Sequence, residues 1–101
     1  MHNNIPIQPI KLVSFEGNLD KNKVYLKWSV AENEIVDRFE VERSIDGKNF
    51  TMAALVFGTD KIDIETYLFK ESKNADKMMY RLKMLDKNNK AEYSKTINIS
   101  N

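Results

Sequence analysis

"RFEVERSIDGKNF", residues 38–50, decides the fold, and it sets six charges into thirteen positions around an Asp-Gly pair. Phe39 and Val41 alternate with Arg38, Glu40 and Glu42. That is the period of a strand with one face on a core and one in water. Asp46-Gly47 stands between two apolar-bearing runs and signals a hairpin; the expectation is a type I′ turn, with positive φ at both central residues. On this reading the charges are the solvated outside of a hairpin rather than a reacting cluster.

Working outward, the same period recurs along the chain. "KVYLKWS" (23–29) places Val24, Leu26 and Trp28 on one face, and "TYLFK" (66–70) alternates Tyr67 and Phe69 with polar neighbours. "MYRLKML" (79–85) groups Tyr80, Leu82 and Met84, and "TINIS" (96–100) groups Ile97 and Ile99. With "IKLVSFEG" (10–17) and "FTMAALVF" (50–57) the sequence predicts seven strands. The first has apolar residues in both phases, at Leu12, Val13 and Phe15, so its register is open. Runs rich in Asp, Asn and Gly separate the strands, and "AENEIVD" (31–37) has room for a turn or two of helix. Seven short antiparallel strands without crossover helices define an all-β, seven-stranded immunoglobulin-like β-sandwich. It is expected over residues 10–100, after an extended N-terminal linker at 1–9 in which two prolines discourage helix.

The totals exclude several functions. Sixteen basic against fifteen acidic residues leave a net charge of +1, and lysines outnumber arginines thirteen to three. A nucleic-acid binder shows a basic excess and favours arginine, so no nucleic acid is expected as partner. With no cysteine there is no disulfide, thiol nucleophile or zinc knuckle. No apolar run approaches the roughly 18–20 residues of a membrane span, and "MHNNIPIQPI" is not a signal peptide. The phosphate-cradle and nucleophile-elbow motifs do not occur.

Residues 8–100 resemble a fibronectin type III-like module that recurs in secreted proteins of Bacteroidota. The specific pieces are "FEVERSIDGKNF" (39–50) and "YRLKMLDKNNK" (80–90), with "KLVSF" (11–15), "VYLKW" (24–28) and "YSKTINIS" (93–100) in support. The resemblance implies a seven-stranded sandwich used as a linker or interaction module in large exported proteins, hydrolases and adhesins among them. "ESKNADKMMY" (71–80) departs from the family's leucine–proline–glycine loop, and Met79 stands where relatives often place an aromatic. Whether Tyr80 forms a tyrosine corner, bonding back to that loop, is therefore open.

Each candidate site has a plainer reading. Glu40 and Glu42 stand roughly 6–7 Å apart along a strand, but a carboxyl in water keeps its normal pKa and is not tuned as an acid. Cross-strand pairing with a lysine such as Lys83 is the expected use of such glutamates. Asp60, Asp63 and Glu65 form an acidic cluster with Lys61 inside it, and the EF-hand spacing is missing; a solvated loop is expected rather than a cation site. His2 is the single histidine. Asn49-Phe50-Thr51 and Asn98-Ile99-Ser100 match the glycosylation pattern by chance. Trp28 shares the phase of Val24 and Leu26 and belongs to the core, which leaves Tyr25 and Tyr93 as exposed aromatics. No catalytic, metal or cofactor residue is assigned, and the binding residues are open.

The expectation is a non-catalytic spacer or protein-interaction module of an exported or cell-surface multi-domain protein. Its partners would be neighbouring domains, another protein or a glycan. The alternative is a carbohydrate-binding module attached to a glycoside hydrolase, which needs a row of coplanar aromatics. Lysine near the "YSKTINIS" edge discourages strand addition, so a monomer is expected.

Overall fold

Trp28, Phe39 and Tyr67 meet at the centre of the molecule, brought there from three different strands. Trp28 lies parallel to Tyr67 with ring centroids 5.8 Å apart and meets Phe39 edge-on at 5.5 Å. The computed structural model describes residues 9–100; the linker expected at 1–9, Pro9 apart, and His2 lie outside the described residues. The strands are β1 (Lys11–Asp20), β2 (Lys23–Ala31), β3 (Val36–Ser44), β4 (Thr51–Phe57), β5 (Glu65–Ser72), β6 (Lys77–Asp86), β7 (Ala91–Tyr93) and β8 (Ile97–Ser100). The helical stretch at 31–37 is one 3-10 turn, Asn33–Ile35.

All pairings are antiparallel and fall into two sheets, β1-β2-β5 and β4-β3-β6-β7, with β8 also on β6. The sheets stack through a shared core of Val24, Leu26, Trp28, Val30, Phe39, Val41, Tyr80 and Leu82, all at 1% exposure or less. The period-two runs in the sequence are the strands of this sandwich. The indole N–H of Trp28 is buried without a hydrogen-bond partner among the described residues, so packing holds the ring there.

There are eight strands rather than the seven expected, and the cause is local. β7 and β8 flank the same edge of β6, Tyr93 opposite Lys83 and Ile97 opposite Tyr80. The ladder breaks between them, where the Ser94 hydroxyl accepts the Leu82 N–H at 2.8 Å. A side chain thus replaces a backbone acceptor for one step. β1 has its own irregularity: Leu12 stands opposite Val30 and Ser14 opposite Ser29, so Val13 is an extra residue, exposed in a bulge. The bulge lets Leu12 and Phe15, three apart, both face the core, which answers the register question.

The registers define two poles. Lys11, Ala31, Val36 and Asp86 lie at one, and Asp20, Lys23, Ser44 and Ser100 at the other. Along the sides, β1 and β8 approach closely: a Cβ on Gly17 would come within 2.9 Å of Ile99 Cδ1 and 3.1 Å of Ile97 Cδ1. Small size at that position lets the two edges close on each other. β4 and β5 are the remaining edges.

Candidate functional site

The Asp46-Gly47 turn is not of type I′. β3 ends at Ser44 and β4 begins at Thr51, and of the two turn residues only Gly47 has positive φ, 78°. Side chains build the loop instead. Asp46 Oδ1 accepts the N–H groups of Lys48 and Asn49, both at 2.8 Å, and Oδ2 accepts the Asn49 amide at 2.8 Å. The Ser44 hydroxyl accepts from the Gly47 N–H at 2.8 Å. Together these donors, Asn49 first, hold the Asp46 carboxyl well below the usual carboxylate range. Asn49, the first glycosylation-pattern residue, is bound into the same cap.

The charges of β3 divide between two faces. Glu42 receives Arg81 Nε at 2.6 Å, and Arg38 pairs with Asp37 at 2.7 Å and Glu40 at 3.6 Å. Glu40 stands opposite Lys83 in register, but the ion pairs of these glutamates go to arginines. Arg43 departs further from expectation. It shares the phase of Phe39 and Val41, so it turns inward at the pole rather than out to water. Its guanidinium donates to Glu71 Oε1 of the opposite sheet at 2.5 Å, and that bond raises its pKa. The Tyr80 hydroxyl donates to Glu71 Oε2. Burial first, then this hydrogen bond, raises the Tyr80 pKa and keeps the hydroxyl neutral. Tyr80 is thus committed to a bridge between the sheets and forms no tyrosine corner with the loop before β6.

The other pole has a matching polar link. The Tyr67 hydroxyl donates to Asn33 Oδ1 at 2.5 Å and accepts the Thr59 N–H at 3.2 Å. Asn33 Nδ2 donates to the Lys61 carbonyl at 2.8 Å, and the Asn33 N–H donates to the Asp63 carbonyl at 2.9 Å. The acidic loop is ordered from outside by this buried asparagine. Its carboxylates do not converge: Asp60 pairs with Lys87 at 2.7 Å, and Glu65 accepts the Thr59 hydroxyl at 2.9 Å. The Thr59 bond, ahead of the Thr66 N–H, lowers the Glu65 pKa. Among the described residues no group of three such side chains is placed to hold a metal ion.

The surface offers places for contact at three positions. Tyr25 and Tyr93 are exposed as expected but lie on different sheets, so they do not form one aromatic row. Tyr25 borders a trough of about 890 Å³ on the outer face of the β1-β2-β5 sheet, together with Glu16, Asn18, Lys27, Leu68 and Lys70. Tyr93 and Phe50 sandwich the Arg81 guanidinium, 4.5 Å and 3.9 Å from the ring centroids, which fixes that cation over the outer face of the other sheet. The third place is β4, where Met52, Leu55 and Phe57 are exposed beside one another. Sequence reading placed a strand at 50–57 but missed this exposed patch, because "TMAALVF" is apolar after Thr51 and has no phase to tell an edge from a core strand. No helix among the described residues is long and apolar enough to cross a membrane. No model of a known protein family matches the chain, and no curated protein matches it in sequence.

Proposed function

We propose that this chain is a non-catalytic, fibronectin type III-like spacer or protein-interaction module of an exported or cell-surface multi-domain protein, of the kind met in Bacteroidota. Three features support the reading. The motifs at 39–50 and 80–90 occupy a hairpin loop with its flanking strand and the central strand β6. β4 stays with β3, whereas the fourth strand of a constant-type immunoglobulin domain joins the other sheet. If β7 and β8 are taken as halves of one interrupted strand, the count becomes seven.

The observation that carries the spacer role is the path of the chain. It enters β1 at the pole of Lys11 and leaves β8 at the pole of Ser100. Ten residues of strand separate the poles by about 33 Å. A neighbour on each side would be held apart by that length. The polar groups of the interior are engaged within the fold: Arg43 and Tyr80 join the sheets through Glu71, and Asn33 and Tyr67 hold the connections at the other pole. Inserting residues 9–100 between two fluorescent reporter proteins should lengthen their separation by about 30 Å, read by energy transfer. An unchanged separation would refute the role.

A second reading, a carbohydrate-binding module, is favoured by the trough beside Tyr25, where an aromatic ring stands among polar side chains. It expects retardation on polysaccharide gels that Tyr25→Ala removes. Migration that is equal with and without polysaccharide eliminates it.

A further inference from the structure

Among the described residues β4 is a free sheet edge, and its seven residues carry neither charge nor proline. Edges of that kind are templates for strand addition unless something blunts them. The other edges are blunted. β1 carries Lys11, Glu16 and Asp20, β5 carries Glu65, Lys70 and Glu71, and the β7–β8 edge is broken between Tyr93 and Ile97. Lys95, the basis for expecting a monomer, lies in that break and does not guard β4.

The ladder shows which backbone groups are open. The Gly58 N–H donates to the Asp37 carbonyl at 2.9 Å, and Phe57 stands opposite Arg38. Backbone groups alternate sides along an antiparallel strand. Ala54, Val56 and Gly58 therefore turn theirs to β3, and Leu55 and Phe57 present theirs to the open edge. A bulge at Ala53 ends the regular stretch on the other side. On the outer face the side chains of Leu55 and Phe57 are 44% and 66% exposed.

We infer that β4 pairs antiparallel with β4 of a second copy of this chain, about a two-fold axis through Leu55, merging two sheets into one. Each Leu55 N–H donates to the other copy's Leu55 carbonyl. The paired Leu55 side chains meet directly, and each Phe57 lies diagonal to the opposite Leu55. Three properties select a second copy as occupant. The added strand must be uncharged and apolar, and among the described strands longer than four residues β4 alone is uncharged. An isologous contact needs a self-complementary patch, which the open groups of Leu55 supply. At the ends the axis brings the loop of Asp46 and Lys48 beside the second copy's loop of Asp60, Lys61 and Asp63, so charges of both signs meet there. A net charge of +1 leaves little repulsion between copies.

Sedimentation velocity of the full chain, from about 1 μM to about 1 mM, tests this. A concentration-dependent shift from monomer to dimer is expected. Leu55→Lys should remain folded and monomeric. Leu55→Pro should too, because it removes an N–H that bonds nothing among the described residues of one copy. Leu68→Lys, on the edge of the other sheet, should dimerise like the parent. A monomer at every concentration overturns the inference, and so does a dimer that survives both Leu55 variants or vanishes with Leu68→Lys. Should neither Leu55 variant fold, amide exchange of the parent decides. The Leu55 amide must gain protection as concentration rises, and constant protection is equally fatal.

Discussion

Asp46 carries more of the hairpin than the Asp-Gly pair suggests, because its carboxylate accepts what a tight turn would have bonded through the backbone. Those bonds favour the ionised form in the folded state alone, so the folded pKa lies below the unfolded value of about 3.9. The sign follows from linkage. The stabilisation is fully present above the unfolded pKa and is lost as pH falls through the folded one. Asp46→Ala should therefore flatten the acid arm of the stability curve, measured as urea midpoints between about pH 2 and pH 7. Parallel acid arms for the two proteins would assign the loss to other carboxylates. Tyr80 acts at the opposite end of the scale of burial. Its hydroxyl meets Glu71 across the sandwich, and Tyr80→Phe leaves one carboxylate oxygen without that donor. A loss of about 1–3 kcal/mol is expected from denaturant melts at pH 7. A loss within experimental error would mean that water replaces the hydroxyl at no cost.

At the scale of elements, β1 shows how far alternation can be read and where it stops. The central strands were legible because Val24, Leu26 and Trp28, or Tyr80, Leu82 and Met84, keep one phase throughout. Leu12 and Phe15 do not, and a bulge of one residue reconciles them. Deleting Val13 should restore a regular strand with Leu12 and Phe15 still inside, at a cost within about 1 kcal/mol. Deleting Glu16 should send Phe15 to the solvent side and Ser14 inward, losing about 1.5–3 kcal/mol for the phenylalanine alone. Equal melts for the two deletions would show that β1 slips freely. The features that stayed hidden share a cause. Arg43 finds Glu71 28 residues away in another sheet, and Asn33 orders a loop through the Lys61 carbonyl. Period-two patterning assigns faces but not partners across a core. It also has no purchase on "TMAALVF", whose open side is fixed by sheet order alone.

For the molecule as a whole, two polar links and one chain path combine into a mechanical argument. Asn33, in the β2–β3 connection, ties β5 to the β4–β5 loop at one pole, and Arg43, Glu71 and Tyr80 tie the two sheets together at the other. Between them the core is apolar, so the sheets are held by burial along their length, with a polar link at each end. Tension applied at Lys11 and Ser100 pulls β1 and β8 along their own axes toward opposite poles. The β1–β2 ladder, with nine paired positions, is then loaded in shear, and its hydrogen bonds resist together. Tension at Lys11 and Ala31 acts on one end of the same ladder and opens its pairs one after another. Pole-to-pole attachment should therefore need the higher unfolding force in single-molecule pulling. β8 should yield before β1, because only four of its positions pair with β6 and the ladder is already broken at Ser94. Ser94→Ala, which removes the acceptor of the Leu82 N–H, should lower the pole-to-pole force and leave the Lys11–Ala31 force unchanged. A lower force on the pole-to-pole path than on the unzipping path would mean that the four pairs of β8, even when loaded together, give way below the force that opens the β1–β2 ladder pair by pair.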